Sequence, residues 1–125
     1  MSPRWAWVLP VCLMGLIFYA SHQPGEEIHL PDIDYIDKIL HGFIYGILAL
    51  SLRYTLVLNQ IQNPFQKSLM ISSLYGLSDE FHQVFIPGRT FELMDWAADT
   101  CGAILFLFLL ETITKFKSRV SQNRK

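Results

Sequence analysis

Apolar and polar positions alternate along this chain in long blocks. Apolar runs occupy residues 5–20, 39–58, 65–77 and 93–113, with polar segments between them. Runs of this length with few charges predict membrane-crossing helices rather than the core helices of a small soluble domain. The third run is the shortest and reaches crossing length only if its helix continues through residues 78–85. The pattern therefore predicts an all-α, polytopic membrane protein. Its four helices would span about 5–20, 39–58, 65–85 and 93–113 in one small bundle, a single domain over residues 1–125. Pro10 is placed to kink the first helix. Phe18, Tyr19 and Ala20 put bulky residues where a signal-peptide cleavage site needs small ones, so the first run reads as an uncleaved anchor.

Composition agrees: 51% of the 125 residues are hydrophobic and 17% are charged. The net charge of −1 carries little information, but the placement of charge does. Arg4, Arg53, Lys67, Lys115, Lys117, Arg119, Arg124 and Lys125, eight of the ten Lys and Arg residues, flank one side of the four-span arrangement. Glu26, Glu27, Asp32, Asp34, Asp37, Asp79, Glu80, Glu92 and Asp95 fall on the other, with Lys38 and Arg89 as its only lysine and arginine. Basic flanks stay in the cytoplasm, which predicts both termini inside and two acidic loops outside. The basic tail, residues 115–125, is then a stop-transfer segment in contact with anionic lipid. No basic patch suits nucleic acid. Cys12 and Cys101 lie in different apolar runs, without a Cys or His at metal-ligand spacing, and read as free thiols.

The chemistry-bearing residues gather at the outer ends of the helices. Asp37, His41 and Tyr45 share a face of the second helix, with Lys38 beside them. Ser72, Tyr75, Asp79 and Gln83 form a stripe on the third, and Asp95, Asp99 and Gly102 align on the fourth. A carboxylate in a span must face inward, pair with a cation or take up a proton. Asp34, Asp37, Glu92 and Asp95 sit at helix N-termini, where the dipole already favours negative charge. Asp79 and Glu80 sit at a helix C-terminus, where it does not, so this pair is the stronger functional signal. Phe85-Ile86-Pro87-Gly88-Arg89 predicts a turn that aims Arg89 back at the cluster, towards Asp79, Glu80 or Asp95. Gly42, Gly46, Gly76 and Gly102 predict close helix approaches.

The segments DKILHGFIYGILAL (residues 37–50), YGLSDEFHQVFIPGR (75–89) and DWAADTCG (95–102) resemble the VanZ-like family of small bacterial membrane proteins. The resemblance covers about residues 34–110. It departs from the family pattern at Asp99, where Asn is expected. That family is named for a protein linked to resistance to the glycopeptide teicoplanin. The resemblance implies a multi-pass protein of the bacterial cytoplasmic membrane and brings with it the motif residues.

From these residues the expected site is an outward-facing polar pocket formed by Asp37, Lys38, His41, Tyr75, Asp79, Glu80, Gln83, Arg89, Asp95 and Asp99. Arg89 and Lys38 would pair with phosphate or carboxylate, while the acids and His41 would read hydroxyls or amines. The occupant would be a lipid, a lipid-linked envelope precursor or a lipidated antibiotic. Two alternatives stand beside this. Glu80 or Asp79 with His41 could serve as base and acid of a membrane-embedded hydrolase or transferase acting on a phospho-linked head group. Or the polar residues could form a structural network in a partner-binding protein. No cofactor is expected. A divalent ion on Asp79, Glu80, Asp95 and Asp99 lacks a dense ligand motif, so no metal is expected either.

Overall fold

The computed structural model describes residues 3–24 and 35–123. Glu26, Glu27, Asp32, Asp34, Arg124 and Lys125, placed above by sequence, lie outside the described residues. The architecture is all helical, with no strand among the described residues. A 3-10 turn, Arg4–Trp7, leads into α1, Val8–Ser21; α2 covers Ile36–Leu58, α3 Pro64–Gln83 and α4 Leu93–Gln122. Three segments are long and apolar enough to cross a membrane: Arg4–Ser21, Ile36–Leu58 and Leu93–Gln122. α3 is not among them, because Ser, Gln and charged residues interrupt its apolar run.

Pro10 falls in the first turn of α1, and the helix runs on through it. A proline there deprives the carbonyl four residues earlier, that of Ala6, of its donor. Thr55 Oγ1 of α2 donates to Ala6 O at 2.7 Å instead, so the freed carbonyl is satisfied across the bundle. α3 opens with Pro64 at its first position, where no N–H is needed, after Asn63 in the left-handed region. α4 extends beyond the expected end near residue 113. Nothing in Thr114–Gln122 breaks a helix, since the segment has no Gly or Pro, and it continues through Lys115, Lys117 and Arg119.

Successive helices run antiparallel. Thr55 near the end of α2 meets Ala6, and Ser21 at the end of α1 meets Asp79 near the end of α3. α2 and α4 form the central pair and α3 packs on both. Gly42 and Gly102 set the α2–α4 spacing: a β-carbon on Gly102 would overlap the backbone of Gly42. The other two glycines admit side chains rather than backbone. Gly46 faces the ring of Phe106, and Gly76 faces the carboxylate of Asp99 and the ring of Tyr45.

Two apolar clusters fill the interior, Ile17–Tyr45–Leu48–Leu52 and Ala49–Ala103–Leu107. Around them the usual order is inverted. Ser68, Ser72, Asp79, Glu80, Gln83, Asp95 and Asp99 are buried, while Val11, Leu16, Phe43, Leu74, Phe108 and many other large apolar residues face out. Polar inside and apolar outside is what a hydrocarbon solvent demands, and this is a membrane protein. Cys12 and Cys101 are free thiols on the exposed helix faces. At the end of the bundle where α2 finishes, Arg53 Nη2 pairs with Glu111 Oε1 at 3.4 Å and Lys115 Nζ lies 3.6 Å from Glu111 Oε2.

Candidate functional site

At the opposite end, the close of α1 and α3 meets the start of α2 and α4, and the acidic motifs converge there. Each helix contributes through its periodicity. Asp95 and Asp99 stand one turn apart on α4 and face Lys38 and His41, which stand nearly one turn apart on α2. Lys38 Nζ lies 2.7 Å from Asp37 Oδ2, 2.6 Å from Glu92 Oε2 and 2.5 Å from Asp95 Oδ1. A single ammonium thus serves three carboxylates and is fully occupied by them. His41 Nδ1 lies 2.9 Å from Asp99 Oδ1, and His41 Nε2 lies 3.9 Å from Asp95 Oδ2.

The two acids at the C-terminal end of α3 are offset chiefly by donors outside that helix. Asp79 Oδ2 accepts from Ser21 Oγ at 2.6 Å, with Tyr45 OH at 3.4 Å and Gln83 Nε2 at 3.5 Å as longer contacts. Glu80 is fully buried, and its Oε2 accepts the backbone N–H of Glu92 at 2.9 Å. One oxygen of each buried acid keeps no hydrogen bond among the described residues: Asp79 Oδ1, Glu80 Oε1 and Asp99 Oδ2. Asp95 Oδ1 also lacks a well-directed hydrogen bond, but Lys38 sits against it as an ion pair.

Arg89 takes a different partner from the expected carboxylates. Residues 86–89 form a turn closed by Arg89 N–H to Ile86 O at 3.1 Å, with Gly88 at φ 74°, a conformation suited to glycine after proline. The turn carries Arg89 to the end of α1, where Nε donates to Gln23 O at 3.3 Å and Nη2 to Ala20 O at 3.5 Å. Those carbonyls are the negative end of the α1 dipole, which a guanidinium offsets as well as a carboxylate's partner would. Arg89 Nη1 makes no hydrogen bond among the described residues.

A cavity of about 410 Å³ opens between these groups. Ile17, Leu40 and Ile44 give it one apolar side; Asp37, His41, Asp79, Gln83, Arg89 and Asp95 line the other. Of the residues expected at the site, Lys38, Glu80 and Asp99 stand behind this lining as partners of the residues that form it. Tyr75 does not join them: its hydroxyl donates to Met14 O at 2.6 Å and ties α3 to α1. Ser21 and Glu92 enter the site without having been singled out for it. Ser21 is a lone hydroxyl at a helix end, with no periodic signal. Glu92 reads as a helix cap, yet its backbone N–H serves Glu80 and its side chain serves Lys38. Ligand-capable atoms of His41, Glu80 and Asp95 also fall within 4.8 Å of one another, as do those of Asp37, Glu92 and Asp95.

Comparison with known proteins places these features. The profile of a family described as VanZ/LLP1 matches residues 6–114, which includes all four helices of the bundle up to the basic end of α4. An uncharacterised protein of Schizosaccharomyces pombe, C11E3.10, is 32% identical over 74 residues, 58% of this chain and 45% of the yeast protein. The chain thus spans less than half the length of that relative. No solved structure matches the chain.

Proposed function

From the premise that the chain belongs to the VanZ/LLP1 family, we propose that it is a binding or handling protein for the polar head group of a membrane amphiphile. All four helices cross the bilayer, with both termini cytoplasmic and the acidic cavity at the outer face of a plasma membrane. The distribution of charge supports that orientation: Arg4, Arg53, Lys67, Lys115, Lys117 and Arg119 flank one end, and the carboxylates the other. The reading rests on one observation, the two-sided cavity. Its apolar wall of Ile17, Leu40 and Ile44 suits an acyl chain, and its polar wall suits a head group.

The geometry narrows the chemistry of the head group. Lys38 is saturated by three carboxylates, so Arg89 is the cation left for a ligand phosphate or carboxylate. Asp37, Asp79 and His41 offer acceptors to amines or hydroxyls. A head group carrying both a phosphate and an amine or hydroxyl fits this pattern best. The yeast relative favours an ordinary phospholipid over a wall precursor, because such lipids belong to yeast and bacteria alike. A contribution to teicoplanin-type resistance would follow only if a lipidated antibiotic shares the cavity. A second reading, an acid–base hydrolase or transferase acting on a phospho-linked head group, draws support from the His41–Asp99 contact close to Glu80.

The test is mass spectrometry of lipid retained after gentle extraction. Wild type should carry a reproducible phospholipid, and Arg89→Ala should lose it while remaining folded by circular dichroism. Equal retention by both forms, or none by either, removes the proposal. Phosphate-ester turnover abolished by His41→Asn would favour the enzyme instead.

A further inference from the structure

Three of the atoms at the acidic end share one property. Glu80 Oε1 is buried and accepts no hydrogen bond, although Oε2 on the same carboxylate holds Glu92 N–H. Asp95 gives Oδ1 to Lys38, while its Oδ2 faces His41. His41 engages Asp99 through Nδ1 and presents Nε2 to Asp95. One atom each of His41, Glu80 and Asp95 therefore remains uncommitted, and the three residues bring ligand atoms within 4.8 Å of one another.

We propose that His41, Glu80 and Asp95 bind a divalent first-row transition ion, Zn²⁺ or Mn²⁺, at the floor of the cavity. This goes beyond the head-group reading and does not depend on it. The donor set decides the class of ion. One imidazole with two carboxylates suits borderline ions, whereas Mg²⁺ and Ca²⁺ are held by oxygen alone. With Nδ1–H donating to Asp99, the lone pair of Nε2 points at the ion, and Asp99 is the outer carboxylate that orients a ligating histidine. Two donors on one tetrahedral Zn²⁺ stand about 3.4 Å apart. The 3.9 Å between His41 Nε2 and Asp95 Oδ2 needs only a small closure to reach that.

The charge balance points the same way. Asp37, Asp79, Glu80, Glu92, Asp95 and Asp99 crowd one end of the bundle, where Lys38 is shared among three of them and Arg89 sits on backbone carbonyls. Glu80 makes no ion pair with a Lys or Arg among the described residues, yet it is wholly enclosed. A buried carboxylate oxygen without a hydrogen bond is costly unless a proton or a cation meets it. Three protein ligands leave open positions towards the cavity, where a phosphate or carboxylate oxygen of an occupant would complete the shell.

The experiment titrates the detergent-purified, chelator-stripped full chain with Zn²⁺ and, separately, Mn²⁺, reading bound metal by equilibrium dialysis and thermal stability in parallel. Wild type should bind about one equivalent and regain the thermal midpoint it held before stripping. Glu80→Gln should weaken binding about 100-fold, and Asp99→Leu about 10-fold by leaving His41 without its orienting partner. Glu111→Gln, at the opposite end of the bundle, should bind as wild type does. Folded wild type that takes up neither ion at about 100 µM free metal overturns the proposal, and it needs no variant to do so. So does a Glu80→Gln protein with wild-type affinity, or a Glu111→Gln protein that loses the metal as Glu80→Gln does.

Discussion

Ser21 Oγ donates to Asp79 Oδ2 across 2.6 Å and so joins the last residue of α1 to the acidic end of α3, 58 positions away. The contact answers an electrostatic problem. Asp79 lies near the C-terminus of its helix, where the dipole repels an anion, and the remaining donors Tyr45 and Gln83 stand at 3.4 and 3.5 Å.

Ser21→Ala should therefore lower stability by about 1–3 kcal/mol, the usual cost of orphaning a buried polar partner. Thermal unfolding of the protein in detergent reads this. A double-mutant cycle with Asp79→Asn should show coupling between the two sites; strict additivity would mean that the contact contributes nothing.

Gly102→Ala should be among the most damaging single substitutions in the chain. The added methyl meets Gly42 backbone, which has no side chain to swing aside, so α2 and α4 must separate. Overpacking of this kind costs about 1–3 kcal/mol or more. Gly15→Ala, where nothing lies within 4 Å, is the matched control and should leave folded yield unchanged. Equal yields for the two would contradict the close α2–α4 contact.

Asp99 should tolerate Asn and reject Leu. Asn keeps an oxygen that can accept from His41 Nδ1 at the same place, whereas Leu leaves the imidazole without an orienting partner. Nitrogen chemical shifts of His41 should report the same tautomer in wild type and Asp99→Asn. In Asp99→Leu they should report a mixture, with a lower thermal midpoint.

The orientation can be read directly by labelling. In a chain freed of Cys12 and Cys101, a cysteine replacing Glu92 should react with an impermeant maleimide on intact cells. A cysteine replacing Lys117 should react only after permeabilisation. Both sit on exposed positions, so accessibility is decided by compartment and not by burial. Labelling of the two from the same side would refute a bundle with the acid cluster outside and α4 ending in the cytoplasm.

Much of this site can be read along single helices, and little of it between them. Asp37 with His41, and Asp95 with Asp99, follow from spacing alone, because residues one turn apart share a face in any helix. Which acids Lys38 and Arg89 would choose depends on helix rotation and on the path of the connecting segments. Lys38 turns to α4 and Arg89 to the carbonyls of α1, and no local pattern encodes either choice. Tyr45 and Tyr75 show the same limit. Both lie on polar stripes, yet Tyr45 contacts Asp79 while Tyr75 reaches Met14 O, a difference set by where α1 lies. The helix pattern was legible, whereas the status of α3 was not. Twenty residues make it long enough to cross, but its polarity leaves it dependent on its neighbours for cover.

The reach of α4 has a mechanical corollary. Thirty residues make a rod about 45 Å tall, against roughly 30 Å of oil in an average bilayer. With the glycine contact pinning its upper half, surplus length can only emerge at the foot, as a stilt studded with Lys115, Lys117 and Arg119. Local membrane thickness then governs how many of those turns stand in water, so the same chain shows a longer basic stem in a thin bilayer than in a thick one.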